Sequence, residues 1–394
     1  MEKDKKESKN NMLPLEVMRE ISLRLPINQL TDRIWKNVTS DRSFAKTHYE
    51  RSLAPTHRYI FIPQYTNLHV SLDLDALSQD IDADASAATI TKIPPCPPLK
   101  DKTKGPDDNY SIILGSCRGF IALYIHPDSF VIWNPLTGSY RTISCNHIAD
   151  FTDIPAIYTF SGDILFGFGY DAIRDDYLVI LFWNHKETRQ GHFDFFSLRS
   201  NSWSSFEDDV AIPDHLQRRK NRASMLFYNG AIHWLSHVGN ATGTIIVFDA
   251  SQRIFSEIPV PEEAARKCMD GNLRELGGCL AFYYEKDNVD GGLGTSVTIW
   301  VMREYNVHSS WTSYEIPTGY FEPFWLSENG DFIGFDDFPG MATYNVNGEL
   351  LFRFDRSLHR YSCATCAVYT ESLLSLPNDG SEEEEGSSSG VKDS

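Results

Sequence analysis

The stretch SIILGSCRGFIALY, residues 111–124, and the following VIWNPLTGSYRTI, residues 131–143, decide the fold. Each contains two apolar runs separated by a short turn with glycine, a pattern that predicts a β-hairpin. Two hairpins in succession make four antiparallel strands. The same unit returns along the chain at a spacing of roughly fifty residues, which is typical of the blades of a β-propeller.

Five such units run from Ser111 to Phe354. Predicted strands within Arg58–Leu74 and Ser362–Leu376 are left over, and neither set can bury both of its faces alone. Pairing the two sets makes a sixth blade and removes the exposed edges. The fold class is therefore predicted as mainly β, a β-propeller of about six blades behind a small helical head; an imperfect or seven-bladed ring is the alternative. The further copies of the unit lie at 193–206, 223–235 with 244–259, 273–284 with 299–317, and 324–335 with 342–354.

The segment from Asp80 to Asn109 is predicted as a loop, because prolines between Ile93 and Leu99 exclude a central strand. Four parts of the chain follow from these patterns. They are a disordered segment at 1–11, a helical head at 12–53, the propeller at 54–377 and a disordered acidic segment at 378–394.

The head is predicted from LPLEVMREISLRLPINQL, residues 13–30. Pro14 suits a first helical turn, and Pro26 ends the helix. Val17, Ile21 and Leu25 recur at four-residue steps and give the helix an apolar face, either for a partner or for its own domain. A short second helix, capped by Ser40 or Asp41, is expected to follow.

At these residues the chain resembles an F-box, through Leu13-Pro14, Glu16, Ile21 and Leu25-Pro26. The resemblance implies binding to a Skp-type adaptor of a cullin–RING ubiquitin ligase. Between Leu30 and Trp35 the chain is about five residues shorter than that family usually is. The residues implied in adaptor binding are Leu13, Pro14, Val17, Ile21, Leu25, Pro26, Ile27, Leu30 and Trp35.

The repeat region is similar to the F-box-associated, kelch-related domain of plant F-box proteins. The similar motifs are SCRGF, WNPLTG, FYNGAIHWL, ENGD and YNVNGEL, and the family pattern GFGYDAIRDDYLVILF at 167–182 supplies the first part of the second unit. In that family the domain recruits the protein to be ubiquitinated, so an unknown protein substrate is implied. A decoy whose degenerate F-box no longer engages the ligase is the alternative, and a propeller lectin or enzyme is a further one.

Composition limits the classes of partner and the cellular compartment that are expected. The net charge of −18 argues against nucleic acid or an anionic membrane as the main partner. Seven cysteines, an odd number scattered over 394 residues, favour a reducing compartment, the cytoplasm or the nucleus. A signal peptide and a membrane-spanning run are not expected.

No catalytic residue, metal ligand or cofactor is assigned, and the chain is not expected to be an enzyme. Gly115–Gly119 has the outline of a nucleophile elbow, but a strand follows it, which favours a hairpin turn. His233 and His237 are four residues apart, as in some metal sites, but HWLSH is predicted as a strand and a turn. Cys363 and Cys366 form a lone Cys-x-x-Cys in strand-like sequence, where two independent buried thiols are the better interpretation. Gly167 and Gly169 are expected where blade strands approach closely. Most of the seven tryptophans between 133 and 325 are expected to pack between blades.

Overall fold

Four-stranded antiparallel sheets dominate the structure, a computed structural model, and there are six of them. They form the blades of a six-bladed β-propeller, as the repeat pattern predicts. The structure describes residues 15–23, 25, 27–30, 36–39, 41–51, 57–63, 69–75, 90–99, 111–125, 129–146, 164–185, 187–188, 191–205, 225–238, 242–265, 271–286, 296–336, 340–353 and 364–377.

In its described residues, the part of the chain before the first strand contains three short α-helices and one 3-10 turn. They are α1 (Leu15–Ser22), the 3-10 turn Ile27–Leu30, α2 (Lys36–Thr39) and α3 (Arg42–Arg51). Residues 15–51 are called the head below. The first helix ends at Ser22, four positions before the proline that was expected to end it. At that point the Ser22 hydroxyl donates to the Met18 carbonyl at 2.6 Å.

Five blades are formed by consecutive strands in chain order. Blade 1 is β4 (Ser111–Cys117), β5 (Phe120–Ile125), β6 (Ser129–Trp133) and β7 (Tyr140–Ser144). Blade 2 is β8 (Ile164–Asp171), β9 (Asp176–Asn184), β10 (Gly191–Ser197) and β11 (Ser202–Ser205). Blade 3 is β12 (Met225–Tyr228), β13 (Ala231–Val238), β14 (Thr242–Asp249) and β15 (Phe255–Pro259), followed by α4 (Glu262–Ala265).

Blades 4 and 5 continue the series, and blade 6 closes the ring. Blade 4 is β16 (Asn272–Leu276), β17 (Cys279–Lys286), β18 (Ser296–Met302) and β19 (Trp311–Ile316). Blade 5 is β20 (Phe321–Leu326), β21 (Phe332–Asp336), β22 (Met341–Tyr344) and β23 (Leu350–Arg353). Blade 6 combines β24 (Ala364–Thr370) with β1 (His57–Pro63), β2 (His69–Asp73) and β3 (Ile90–Ile93).

The closure of the ring confirms the predicted pairing of the two leftover sets, with one difference. Strand β24 pairs with β1 over seven residue pairs, from His57 with Thr370 to Pro63 with Ala364. The front of the chain supplies three strands rather than two, because β3 lies inside the segment predicted as a loop. This strand is only four residues long and sits at the sheet edge directly before Pro94, a position that tolerates proline.

The first strands of the blades surround the propeller axis and contact their neighbours. All of them end on the same face, because Arg118 after β4 contacts Tyr170 at the end of β8, and Gly277 after β16 lies against Leu326 at the end of β20. We call this face the turn face. It carries the short turns between first and second strands, at 118–119, 172–175, 229–230, 277–278 and 327–331. The first strands begin, and the fourth strands end, on the opposite face.

Side chains between neighbouring blades form the core. Of the seven tryptophans, Trp133 and Trp234 are fully buried, and Trp183 and Trp300 are less than a tenth exposed, which confirms blade packing for these four. The close approach expected at the two blade-2 glycines is also confirmed. A β-carbon added at Gly169 would lie 2.5 Å from the Phe227 ring, and one added at Gly167 would lie 2.7 Å from Ile232.

Candidate functional site

Helix α1 places side chains of opposite character on its two sides. Met18 points inward and forms the head core with Leu30, Val38 and Phe44. Val17 and Ile21, one turn apart, remain 42% and 38% exposed. Burying an isoleucine or valine side chain from water is worth about 1.5–3 kcal/mol, so an exposed pair of this kind leaves apolar surface available to a partner.

The exposed pair is flanked by two carboxylates. Glu16 and Glu20 are exposed on the same side of α1, and the four side chains together line one open depression. On the other side of the helix, Arg19 forms an ion pair with Asp41. Asp41 also accepts from the Ser43 backbone N–H at 2.8 Å and so caps α3, as predicted. The hydrogen bonds from Ser43 lower the pKa of Asp41 below its usual value.

The residues expected to bind a partner fall into two groups in the structure. Val17 and Ile21 are exposed, whereas Leu25 is partly buried against the head core. Ile27 and Leu30 are 4% and 1% exposed, so these two side chains stabilise the head itself and present little surface. Apolar spacing alone did not separate outward from inward positions. The remaining predicted residues, Leu13, Pro14, Pro26 and Trp35, lie outside the described part of the chain.

Helix α3 anchors the head on the turn face of the propeller. Ala45 is buried in the core shared by blades 1 and 2, and Tyr49 packs against the same core. The guanidinium of Arg118 lies between two tyrosine rings, 4.8 Å from the centre of Tyr49 and 4.1 Å from that of Tyr170. Cation–π contacts of this kind are worth about 0.5–2 kcal/mol each, depending on burial. The pair Tyr49 and Arg118 therefore fastens the head to blade 1.

The turn that presents Arg118 is conformationally fixed. Arg118 itself has φ +51°, and Gly119 has φ +85°. A β-carbon on Gly119 would lie 2.1 Å from the Ser372 hydroxyl oxygen, so glycine is required by both space and backbone conformation. A surface ion pair, Lys46 with Asp175 at 3.2 Å, adds a weaker contact between head and propeller.

The segment Glu371–Pro377, which we call the strap, links the same elements from the other end of the chain. Its Leu374 and Leu376 are buried in the core of blades 1 and 2, while Leu373 packs against both that core and the head core. The Asn134 side-chain amide donates to the carbonyls of Ser372 and Leu374, at 2.9 and 3.1 Å. The strap therefore ties head, blade 1 and blade 6 together.

Charged contacts fix the start of the strap. Arg58 of β1 forms ion pairs with Glu371 at 3.3 Å and with Asp73 at 3.4 Å. Burial raises the pKa of Glu371, and the attraction of Arg58 opposes that rise. The next residue, Ser372, donates its hydroxyl to the Arg118 carbonyl at 2.9 Å. The strap is thus in direct contact with blade 6 and with the Arg118 turn to which the head is fastened.

The candidate nucleophile is a hairpin turn. Cys117 ends β4, Arg118 and Gly119 form the turn, and β5 begins at Phe120, which confirms the hairpin. Burial raises the pKa of the Cys117 thiol far above its usual value, so the thiol stays protonated. A reactive cysteine requires the opposite environment.

The candidate metal ligands also have a structural setting. His233 lies in β13, and its Nε2 is 2.8 Å from the hydroxyl oxygen of Tyr305. Burial lowers the pKa of His233 to about 4. His237 lies in the same strand, so the predicted turn is absent there, and its side chain is outside the description. Cys363 is likewise outside the description, and Cys366 is described only as a position in β24.

The described part of the chain contains no group of three or more His, Cys, Asp or Glu side chains that could hold a metal ion. A search of the same residues found no helix with the length and apolar character needed to span a membrane.

Comparisons with known proteins identify the family. An F-box/kelch-repeat protein of Arabidopsis thaliana is 28% identical over 384 residues, covering 93% of this chain and 96% of the relative. F-box protein CPR1 of the same plant is 26% identical, covering 76% of this chain and 71% of the relative. Among solved structures, TolB from Acinetobacter baumannii aligns with 86% of this chain and 73% of its own, at a TM-score of 0.42 and 9% identity. The profile of the F-box associated beta propeller domain matches residues 67–375, and the chain therefore belongs to that family.

Proposed function

We propose that the chain is the substrate-recognition subunit of a Skp–cullin–F-box ubiquitin ligase. The head binds the Skp-type adaptor, and the propeller holds a protein substrate. The chain itself performs no chemistry; it raises the effective concentration of substrate lysines near the ubiquitin-carrying enzyme. The observation that carries the proposal is the exposed Val17–Ile21 pair on α1, directly beside the buried Met18.

The size of the expected contact follows from the exposure of that pair. About two fifths of each side chain is accessible, roughly 70 Å² apiece, and burial is worth about 25 cal/mol per Å². Val17 and Ile21 together would contribute about 3–4 kcal/mol to adaptor binding. Leu30 supports the contact indirectly, because it belongs to the head core against which α1 is set, and Ile27 is buried in the adjoining 3-10 turn.

The substrate is proposed to bind the face opposite the turn face. Helix α3 and the strap already cover part of the turn face, at blades 1 and 2. On the opposite face the first strands begin and the fourth strands end, and the sequence that joins blades can vary without disturbing the blade core. A head fixed on one face and a substrate on the other would give the ligase a defined distance between adaptor and substrate. The odd number of cysteines, seven, suits the reducing cytoplasm or nucleus.

Co-purification of a Skp-type adaptor with three versions of the full chain tests the proposal. Wild type should retain the adaptor, and Ile21→Asp should lose it, since a carboxylate would be buried without a partner. Val346→Asp is the matched control, because Val346 is similarly exposed, at 44%, but lies in the propeller. Equal retention by all three chains would show that α1 is not the docking surface.

The decoy alternative rests on the short connection between Leu30 and Trp35. A decoy would bind the substrate but not the adaptor. Insertion of five helix-forming residues between Thr31 and Trp35 distinguishes the two. The adaptor subunit should bind more tightly to the insertion variant than to wild type. If neither wild type nor the insertion variant retains the adaptor, the decoy becomes the better proposal.

A further inference from the structure

Three arginines from adjacent turns of blades 2 and 3 form one surface on the turn face, which we call the arginine patch. It consists of Arg174, Arg199 and Arg253. The guanidinium of Arg199 donates to the Arg174 carbonyl at 2.8 Å, and that of Arg174 donates to the Ser251 carbonyl at 2.8 Å. The Arg253 guanidinium lies 4.3 Å from the ring centre of Phe195. Bonds to backbone carbonyls thus hold Arg174 and Arg199, and a ring contact holds Arg253, on adjacent turns.

Acidic residues also lie at these turns, and local contacts engage them. Asp171 and Asp176 are buried, at 0% and 5% exposure, and their carboxylates accept backbone N–H groups of the two turns. Asp171 also forms an ion pair with Arg174 at 2.8 Å, although half of the Arg174 side chain stays accessible.

The remaining charges of the surface are more accessible. Burial and the neighbouring charge of Arg174 lower the pKa of Arg253, and the charges of Asp171 and Asp176 oppose that shift. Arg199 is exposed, and the one exposed carboxylate among the described residues of these turns, that of Asp175, pairs with Lys46 at 3.2 Å. The accessible charge of this surface therefore comes mainly from the arginines, although the chain carries −18 overall.

Two exposed isoleucines lie at the tips of the same turns. Ile173 is 72% exposed and Ile254 is 53% exposed, among the larger exposures of apolar side chains in the described residues. Arginines interspersed with exposed apolar side chains suit a segment that is acidic and poorly ordered on its own, since it can gain charge-assisted hydrogen bonds and a small apolar contact together.

The strap ends beside the patch, and an acidic segment of this kind follows it in the sequence. One guanidinium nitrogen of Arg141 donates to the carbonyl of Pro377 at 3.0 Å and to that of Leu198 at 2.7 Å. Leu198 directly precedes Arg199 of the patch. The sequence after Pro377 is NDGSEEEEGSSSGVKDS, with its four consecutive acids at Glu382–Glu385. Five residues span up to about 17 Å, so Glu382 can reach the surroundings of Arg199 from Pro377.

We propose that the arginine patch binds the acidic segment 378–394 of the same chain, through Glu382–Glu385. The contact does not depend on adaptor binding or on the identity of the substrate. Because the segment is tethered, its effective concentration at the patch is in the millimolar range, and a weak contact suffices for occupancy. An acidic segment of another protein that docks on the patch must displace it.

The probe for this contact is a fluorescent synthetic peptide of residues 378–394, followed by anisotropy at low ionic strength. The recipient is the full chain with Glu382–Glu385 all changed to glutamine, so that its own segment no longer competes. This chain should bind the peptide, and the wild-type chain should bind it at least about tenfold more weakly because its patch is occupied. Adding salt should weaken binding, since the Debye length shortens from about 10 Å at 0.1 M to about 3 Å at 1 M.

Two further variants of the neutral-segment chain locate the binding surface. Arg199→Gln with Arg253→Gln should lower the affinity by about threefold or more, given that each exposed ion pair contributes modestly. Lys92→Gln with Arg303→Gln removes the same charge elsewhere and should leave binding unchanged. A peptide carrying lysine in place of the four glutamates should not bind.

The proposal is overturned by equal binding to wild type and to the neutral-segment chain, or by equal loss in the patch and control variants. It is also overturned by binding that is independent of salt. The salt series and the lysine peptide use an unaltered patch, so the test holds even where a patch variant fails to fold.

Discussion

The contact between Tyr49 and Arg118 should determine how firmly the head is held on the propeller. Tyr49→Leu keeps most of the apolar volume but removes the ring face that lies 4.8 Å from the guanidinium. Arg118→Met removes the charge and also its contact with Tyr170 at 4.1 Å. Each cation–π contact is worth about 0.5–2 kcal/mol. Tyr49→Leu should therefore cost about 1 kcal/mol, and Arg118→Met about 1–4 kcal/mol.

The assay is hydrogen–deuterium exchange of the peptide that covers α3, residues 42–51. Opening of the head is a local event, and 1.4 kcal/mol corresponds to a tenfold change in its equilibrium. Tyr49→Leu should speed exchange in α3 about fivefold, with much less effect in blade 4. Lys46→Ala is the control on the same helix, because its ion pair with Asp175 is exposed on both sides and contributes about 0–1 kcal/mol.

A double-mutant cycle isolates the pair from the other contacts of Arg118. The coupling between Tyr49→Leu and Arg118→Met should be about 0.5–2 kcal/mol, so the double variant should be less destabilised than the sum of the single variants. Strict additivity, or unchanged α3 exchange in Tyr49→Leu, would show that this pair does not hold the head, which then depends on the strap and on buried Ala45.

Three further predictions concern the propeller. Gly169→Ala should destabilise the chain by about 1–3 kcal/mol in urea unfolding, because its β-carbon would meet Phe227, whereas Gly115→Ala, with nothing within 4 Å, should be much milder. The pKa of His233 is lowered to about 4 in the folded chain, whereas in the unfolded chain it is about 6.5. As the pH falls below about 6.5, the unfolded state therefore binds a proton before the folded state does. The contribution of His233 to the free energy of unfolding is thus fully present above that pH and is lost on acidification. The wild type should therefore lose about 2 kcal/mol more than His233→Gln between pH 7 and 5, and equal losses would contradict the assignment. Deletion of 378–394 should leave the thermal midpoint within a few degrees of wild type, since exposed ionic contacts contribute little to folding; a larger drop would show that the segment is part of the fold.

The propeller could be predicted because its hairpin patterns are short in sequence and are repeated along the chain. Most blades contain two hairpins that are visible in the sequence, a first one with a glycine-containing turn and a second one with a polar turn, and strand pairing within a hairpin spans few residues. The closing pair of β24 and β1 was predictable by a different argument: unpaired strands at both ends of a series of complete blades have only each other as partners. Strand β3 was missed because four residues followed directly by prolines carry too little periodicity to stand out.

The head illustrates the limit of periodicity. A four-residue step places Val17 and Ile21 on one side of α1, but it does not say which side faces the domain. The decision is made by Met18, which the core of Leu30, Val38 and Phe44 draws inward. That core includes residues from α2, α3 and the 3-10 turn, so the outward side of α1 follows from tertiary packing.

The arginine patch and the contact between Arg118 and Tyr49 could not be predicted from the sequence for a related reason. Arg174, Arg199 and Arg253 lie in three separate turns, and each alone has the sequence context of an ordinary polar turn. Only the stacking of blades 2 and 3 brings them together. Arg118 and Tyr49 are likewise distant in sequence and meet because α3 lies on the turn that follows β4.

In this chain, the strand pairing that closes the ring also positions the head. Helix α3 precedes β1, and the strap follows β24, so the two strands that close the ring connect directly to the two elements that hold the head. When β24 pairs with β1, Leu373 is brought into contact with the head core, and Ser372 is brought to the carbonyl of Arg118. A substitution that weakens blade 6 should consequently loosen the head even where it touches no head residue. In the proposed ligase subunit, the pairing of β24 with β1 that closes the propeller thus also supports the head that carries α1, together with the contact between Tyr49 and Arg118.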